Sequence, residues 1–122
     1  MFTQSRLTRA LAVLALVVAL SACSVEDFIR VAFAERGANA AQQEQAIRVA
    51  HCESTLRHDA ISPGGGNWGL FQINTVHRGR VEAMGYAWDQ MLLPYENARV
   101  AADIWAEQGW RPWTCARRLG IR

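Results

Sequence analysis

The chain contains no lysine; all thirteen of its basic residues are arginine. That absence excludes a Walker-type phosphate-binding lysine, a Schiff-base lysine and a Ser–Lys dyad. Long apolar runs are also scarce. The longest, ALAVLALVVAL, covers only residues 10–20, well short of the roughly 20 residues a helix needs to cross a bilayer. Alternating polar–apolar stretches of strand length, internal repeats and low-complexity tracts are missing, so the pattern is helical and fits one small domain. His51, His58 and His77 do not fall into a metal-ligand pattern, and neither a metal nor a cofactor is expected.

What is present begins at the N-terminus. MFTQSRLTR carries Arg6 and Arg9 and no acid, then comes the apolar run, then Ser-Ala-Cys at 21–23. A basic start, a short apolar stretch and a small-residue exit predict an export signal over residues 1–22. LSAC (20–23) resembles the lipobox of bacterial lipoproteins, which makes Cys23 the expected lipidated first residue; simple cleavage and release is the alternative. Diacyl chains there would hold the product on a membrane surface. The expected location is therefore outside the cytoplasm, membrane-anchored or secreted to the envelope.

Once Arg6 and Arg9 leave with the signal, eleven arginines face eleven acids. A near-neutral chain disfavours nucleic acid as a partner. In an oxidising compartment Cys52 and Cys115 most simply form one disulfide. It would close most of the domain into a loop, worth about 4 kcal/mol in the chain-entropy picture. The functional alternative, Cys52 as a nucleophile with His51 or His58, requires a free thiolate.

SVEDFIRVAFAERG (24–37) opens on a Ser-x-x-Asp cap, stops at Gly37, and spaces Val25, Phe28, Ile29, Ala32 and Phe33 along one helical face. A second helix is expected from Ala40 to Glu53, a loop at SPGGGNWG (62–69), and a strand or buried turn at LFQI (70–73). A helix near Thr75–Met84 comes next, and a last one starts with Pro94 in its first turn and ends before Gly109. The organisation expected is a signal at 1–22, a linker and helix at 23–39, a main domain at 40–116, and a frayed basic tail at 117–122.

Glu53 is the residue that asks for an explanation. On the second helix Ala46, Val49 and Ala50 share a face, and Glu53, four residues after Val49 and three after Ala50, continues that stripe; Glu44, Arg48 and His51 lie opposite. Desolvation there favours the protonated carboxyl, which is how a general acid is kept ready near neutral pH. The bland alternative is an acid that merely reaches a loop backbone or an arginine. Downstream, consecutive glycines would let a polymer approach the backbone. Trp68 offers a flat face to a sugar ring, and Gln72 and Asn74 offer amide donors and acceptors. Phe71 reads as core, and Asn74 is also placed to cap the next helix.

Glu-Ser (53–54), followed by AISPGGGNWGLFQIN (60–74), resembles the acid motif and the Gly-Leu-x-Gln motif of the soluble lytic transglycosylases. VAHCES (49–54) and AEQGWRPWTC (106–115) resemble the two ends of the catalytic domain of resuscitation-promoting factors, a related family in which cysteines at matching places form a disulfide. The resemblance covers about residues 40–115. It implies a mainly α, lysozyme-like α+β fold, with helices around a sugar-binding groove. The implied activity is cleavage of the β-1,4 bond between N-acetylmuramic acid and N-acetylglucosamine in peptidoglycan. It also implies Glu53 as the catalytic acid, and Gln72 falls on the family's groove glutamine. Trp68, Gly69, Gln72 and Asn74 together are the expected substrate contacts, and a monomer with peptidoglycan glycan strands as its partner is expected.

Ordinary glycosidases flank the bond with two carboxyls. Asp59 is the nearest second acid and is expected to organise the loop rather than react. In the resembling families one acid suffices, acting first as acid and then as base. A late Ala-Tyr-Asn segment frequent in transglycosylases is absent, which leaves the far wall of the groove undefined. Two alternatives stay open beside the transglycosylase: a lysozyme-type hydrolase of the same bond, and a wall-binding lipoprotein without turnover. His77, in line with Val81 and Met84, reads as a packed histidine; Asn97 reads as a ligand to a loop backbone, Trp105 as core, and Trp110 and Trp113 as packing around the disulfide.

Overall fold

The computed structural model describes residues 23–122. The expected export signal at 1–22 lies outside the described residues. Cys23 is exposed, with a free thiol, immediately ahead of the first helix.

Helix α1 (Val25–Glu35) starts where the sequence puts its cap. The Ser24 hydroxyl accepts from the Asp27 N–H, and the Asp27 carboxylate accepts from the Ser24 N–H at 3.0 Å. Helix α2 (Ala40–Ser54) has the same reciprocal arrangement between Asn39 and Gln42. Helix α3 is short (Arg78–Ala83), and α4 (Pro94–Gln108) begins on Pro94 and ends at Gly109. The segment expected as a single helix over 75–84 divides into a 3-10 turn at Thr75–His77 and α3, because the Asn74 side chain caps the turn at Val76 N–H. A second 3-10 turn spans Trp88–Leu92.

Apolar faces bring α1, α2 and α4 together. Ile29 and Phe33 of α1, Ala46 and Val49 of α2, and Ala101 and Ile104 of α4 are buried in one core. Residues 23–39 are thus part of the same packed unit as residues 40–116, not a linker beside them, because α1 packs on both α2 and α4. The C-terminal tail is likewise not frayed. Thr114–Arg118 forms helix α5, and Ile121 is buried, its N–H bonded to the Ala116 carbonyl at 2.9 Å. A single apolar residue three positions beyond a basic helix is enough to hold the tail down.

The β structure is minimal. Strands β1 (Asn67–Trp68) and β2 (Ile73–Asn74) pair antiparallel, Asn67 opposite Asn74 and Trp68 opposite Ile73. Leu70 and Phe71 fill the buried turn between them. Cys52 and Cys115 form the disulfide, which joins the last turn of α2 to α5. Arg80 on α3 bridges Asp103 and Glu107 on α4, and Arg36 reaches Asp103 from the end of α1. Among the described residues, no helix is long and apolar enough to cross a membrane.

Candidate active site

The end of α2 is an abrupt reversal. Thr55 and Leu56 both take left-handed backbone conformations, φ 55° and 58°, which non-glycine residues rarely adopt. Strain of this kind persists only where surrounding structure imposes it. The Ser54 hydroxyl donates to the Leu70 carbonyl at 2.8 Å and so stitches the helix end to the turn between β1 and β2. The Glu-Ser pair and the Gly-Leu-x-Gln stretch, sixteen residues apart at this bond, are thereby held together.

That turn is buried backbone whose polar groups must find partners. Asn97, fully buried on α4, supplies three: its side-chain oxygen accepts from Phe71 N–H, and its amide nitrogen donates to the Trp68 and Met91 carbonyls at 2.9 and 2.8 Å. The Trp113 indole donates to the Phe71 carbonyl at 3.0 Å. Gly69 is required here in the strict sense. Its φ is +78°, and a Cβ would overlap the Met91 carbonyl oxygen and the Asn97 amide.

The result is a cleft of about 480 Å³ beside Glu53, with Asn67, Gln72, Asn74 and His77 on its walls and Trp113 and Thr114 on the side contributed by the approach to α5. Glu53 is half-buried. Burial pushes its carboxyl above the ordinary value, while the Cys115 backbone N–H and the Arg118 charge pull the other way. It is the only carboxylate among the described residues lining the cleft. Gln72, at φ 49°, spends both amide hydrogens on the Ala60 and Gly69 carbonyls at 3.2 and 3.1 Å, which leaves its oxygen as the free acceptor. Asn74 donates to the Asn67 side-chain oxygen at 3.0 Å while capping the adjoining 3-10 turn.

Glu53, Gln72 and Asn74 are therefore brought together. Trp68 and Gly69 are not. Trp68 lies on the opposite face of its two-residue strand from Asn67, donates to the Gly65 carbonyl, and packs on Trp88 at 5.7 Å. Gly69 is buried beneath Asn97. The run Gly64–Gly66 stands away from the cleft as well. Asp59 is exposed and does not organise its loop; the Ser62 hydroxyl does, accepting from Asn67 N–H at 3.0 Å. His77 is half-buried and lines the cleft, in place of the packed residue expected. Trp113 packs on Phe71 and Trp110 and borders the cleft; Trp105 is only partly buried. Asn67, Thr114 and Pro112 escape sequence reasoning, because a two-residue strand, the first residue of a five-residue helix and the turn before it are too short for periodicity to carry a signal. Among the described residues, no group of three or more His, Cys, Asp or Glu side chains is placed to hold a metal.

A small helical domain that presents one desolvated carboxyl in an amide-lined cleft suits general acid chemistry on a polar ligand. The chain belongs to the lysozyme-like domain family, which it matches over residues 14–115. That places it in class among the peptidoglycan-acting glycosidases of the cell envelope. Neither a curated protein nor a solved structure matches it.

Proposed function

We propose that the protein is a peptidoglycan lytic transglycosylase that cleaves the β-1,4 bond between N-acetylmuramic acid and N-acetylglucosamine, with Glu53 as the single acid and base. The observation that carries this reading is the lone carboxyl: the cleft lining includes Glu53 and no second carboxylate among the described residues. Two-carboxylate mechanisms need a partner about 5 Å away for a retaining reaction or roughly 6.5–9.5 Å for an inverting one. With one carboxyl, the same group has to serve twice. Protonated Glu53 gives its proton to the bridging oxygen as the bond from that oxygen to the anomeric carbon breaks, and the neighbouring acetamido group stabilises the anomeric carbon. The resulting carboxylate takes the proton of the C6 hydroxyl as that oxygen bonds to the anomeric carbon. A 1,6-anhydro ring forms, no water is consumed, and Glu53 ends as it began.

Desolvation of Glu53 supports its starting the cycle protonated. Gln72 and Asn74 are assigned to the glycan's hydroxyl and acetamido groups. The exposed Cys23 thiol just before α1 suits lipid attachment there, which would tether the domain to a membrane facing the wall. Mass spectrometry of digested peptidoglycan is the test. Anhydro-muramyl ends are expected, and Glu53→Gln should lower their release at least about 100-fold, the usual scale of general acid–base catalysis. Reducing ends would make the enzyme a hydrolase. Unchanged release by the variant would remove Glu53 from the mechanism, and intact wall with the unaltered protein would leave only binding.

A further inference from the structure

Two ionisable side chains line the cleft among the described residues: Glu53 and His77. Glycan cleavage by a single acid and base employs the first and leaves the second without a role. His77 closes the 3-10 turn Thr75–His77, whose start is fastened by the Asn74 side chain, so its backbone is fixed relative to the cleft wall. Its ring is half-buried, yet neither ring nitrogen bonds to another described residue. Neither nitrogen is sealed off from water, so both stay open to solvent or to a ligand in the cleft.

We infer that His77 is a substrate-contacting residue of this cleft, whose imidazole hydrogen-bonds a hydroxyl or acetamido group of the glycan bound beside Glu53. The inference rests on the proposed glycan cleavage. A neutral imidazole carries one donor and one acceptor, the complement of a sugar hydroxyl, whereas an imidazolium offers donors only. The surroundings favour the neutral form. Burial and the Arg80 guanidinium on α3 both disfavour a second proton. Glu107 on α4 opposes them, but it is itself engaged by Arg80 at 2.9 Å, and Glu53 is the remaining charged group of the cleft. The two groups then need opposite protonation states. Glu53 works protonated and is lost as pH rises; His77 works uncharged and is lost as pH falls.

The experiment is an NMR titration of the Glu53→Gln protein, which cannot cut its ligand, with a tetramer of β-1,4-linked N-acetylglucosamine. His51 and His58 stand outside the cleft lining and act as internal controls, while the Trp113 indole reports occupancy independently of His77. His77 imidazole signals should move with Trp113, and the His77 titration midpoint should fall on saturation. His77→Ala should weaken binding about 3- to 10-fold, the scale of one neutral hydrogen bond, with partial rescue by His77→Gln. In the otherwise unaltered enzyme acting on purified peptidoglycan, His77→Ala should raise KM by the same factor, leave kcat within about two-fold, and remove the acid limb of kcat/KM. A Trp113 response without a His77 response, or an acid limb unchanged in His77→Ala, overturns the inference and leaves the functional reading standing. No response at either residue, together with no fragments from the unaltered enzyme, overturns both.

Discussion

Breaking the Cys52–Cys115 bond tests how far the site depends on covalent restraint. The cysteines are 63 residues apart in sequence. Closing a loop of that length in the unfolded chain removes entropy equivalent to about 4 kcal/mol at room temperature. For a domain near 100 residues each kcal/mol shifts Tm by about 4–8 °C, so Cys52→Ala/Cys115→Ala should melt about 15–30 °C lower. Cys52 is exposed, so a thiol reductant should reproduce the loss in the unaltered protein. The effect reaches the chemistry as well. Cys52 precedes Glu53 directly, and the Cys115 N–H is one of the groups acting on the Glu53 carboxyl. Without the bond, Glu53 is positioned through the Ser54–Leu70 hydrogen bond and helix packing, and turnover should fall even well below the melting temperature. Scanning calorimetry of the double variant and of the reduced protein gives the number. A drop under about 5 °C would mean that the unfolded chain is already compact, or that α5 docks without the link, and the loop-entropy argument would fail.

Three other outcomes are expected from the geometry. Glu53→Gln should raise thermal stability at pH 8 and have little effect at pH 4: with its folded-state pKa raised, the ionised carboxyl costs stability only as pH rises through that pKa, and equal gains at both pH values would contradict this. Asn97→Ala orphans the Phe71 N–H and the Trp68 and Met91 carbonyls, so a loss of about 3–5 kcal/mol in urea unfolding is expected, and a loss below about 1 kcal/mol would mean that water replaces the side chain. Gly69→Ala forces a methyl into the Met91 carbonyl and the Asn97 amide, and should displace the Gln72 turn; a soluble variant with unaltered near-UV circular dichroism and glycan binding would refute the steric argument.

The helices are legible in the chain because each is a local pattern. Ser24 and Asp27 cap α1, the stripe Ala46–Val49–Ala50 buries one face of α2, and Pro94 and Gly109 bracket α4. The position of Glu53 on that stripe is set by the 100° turn per residue, and the pairing of Cys52 with Cys115 by the count of thiols in an oxidising compartment. Sequence reasoning errs where a side chain's direction depends on more than its own element. Trp68 reads as a groove residue and lies on the other face of its strand; His77 reads as packing and lines the cleft.

The sequence by itself determined the three long helices, which acid is desolvated and which cysteines join. Only the tertiary structure decided which side chains meet around that acid. Helical periodicity is local and survives in the order of residues, whereas the cleft is assembled from Asn67, His77 and Thr114. The turn between β1 and β2 that frames this cleft is held by Asn97, Ser54 and Trp113, through hydrogen bonds between residues far apart in the chain.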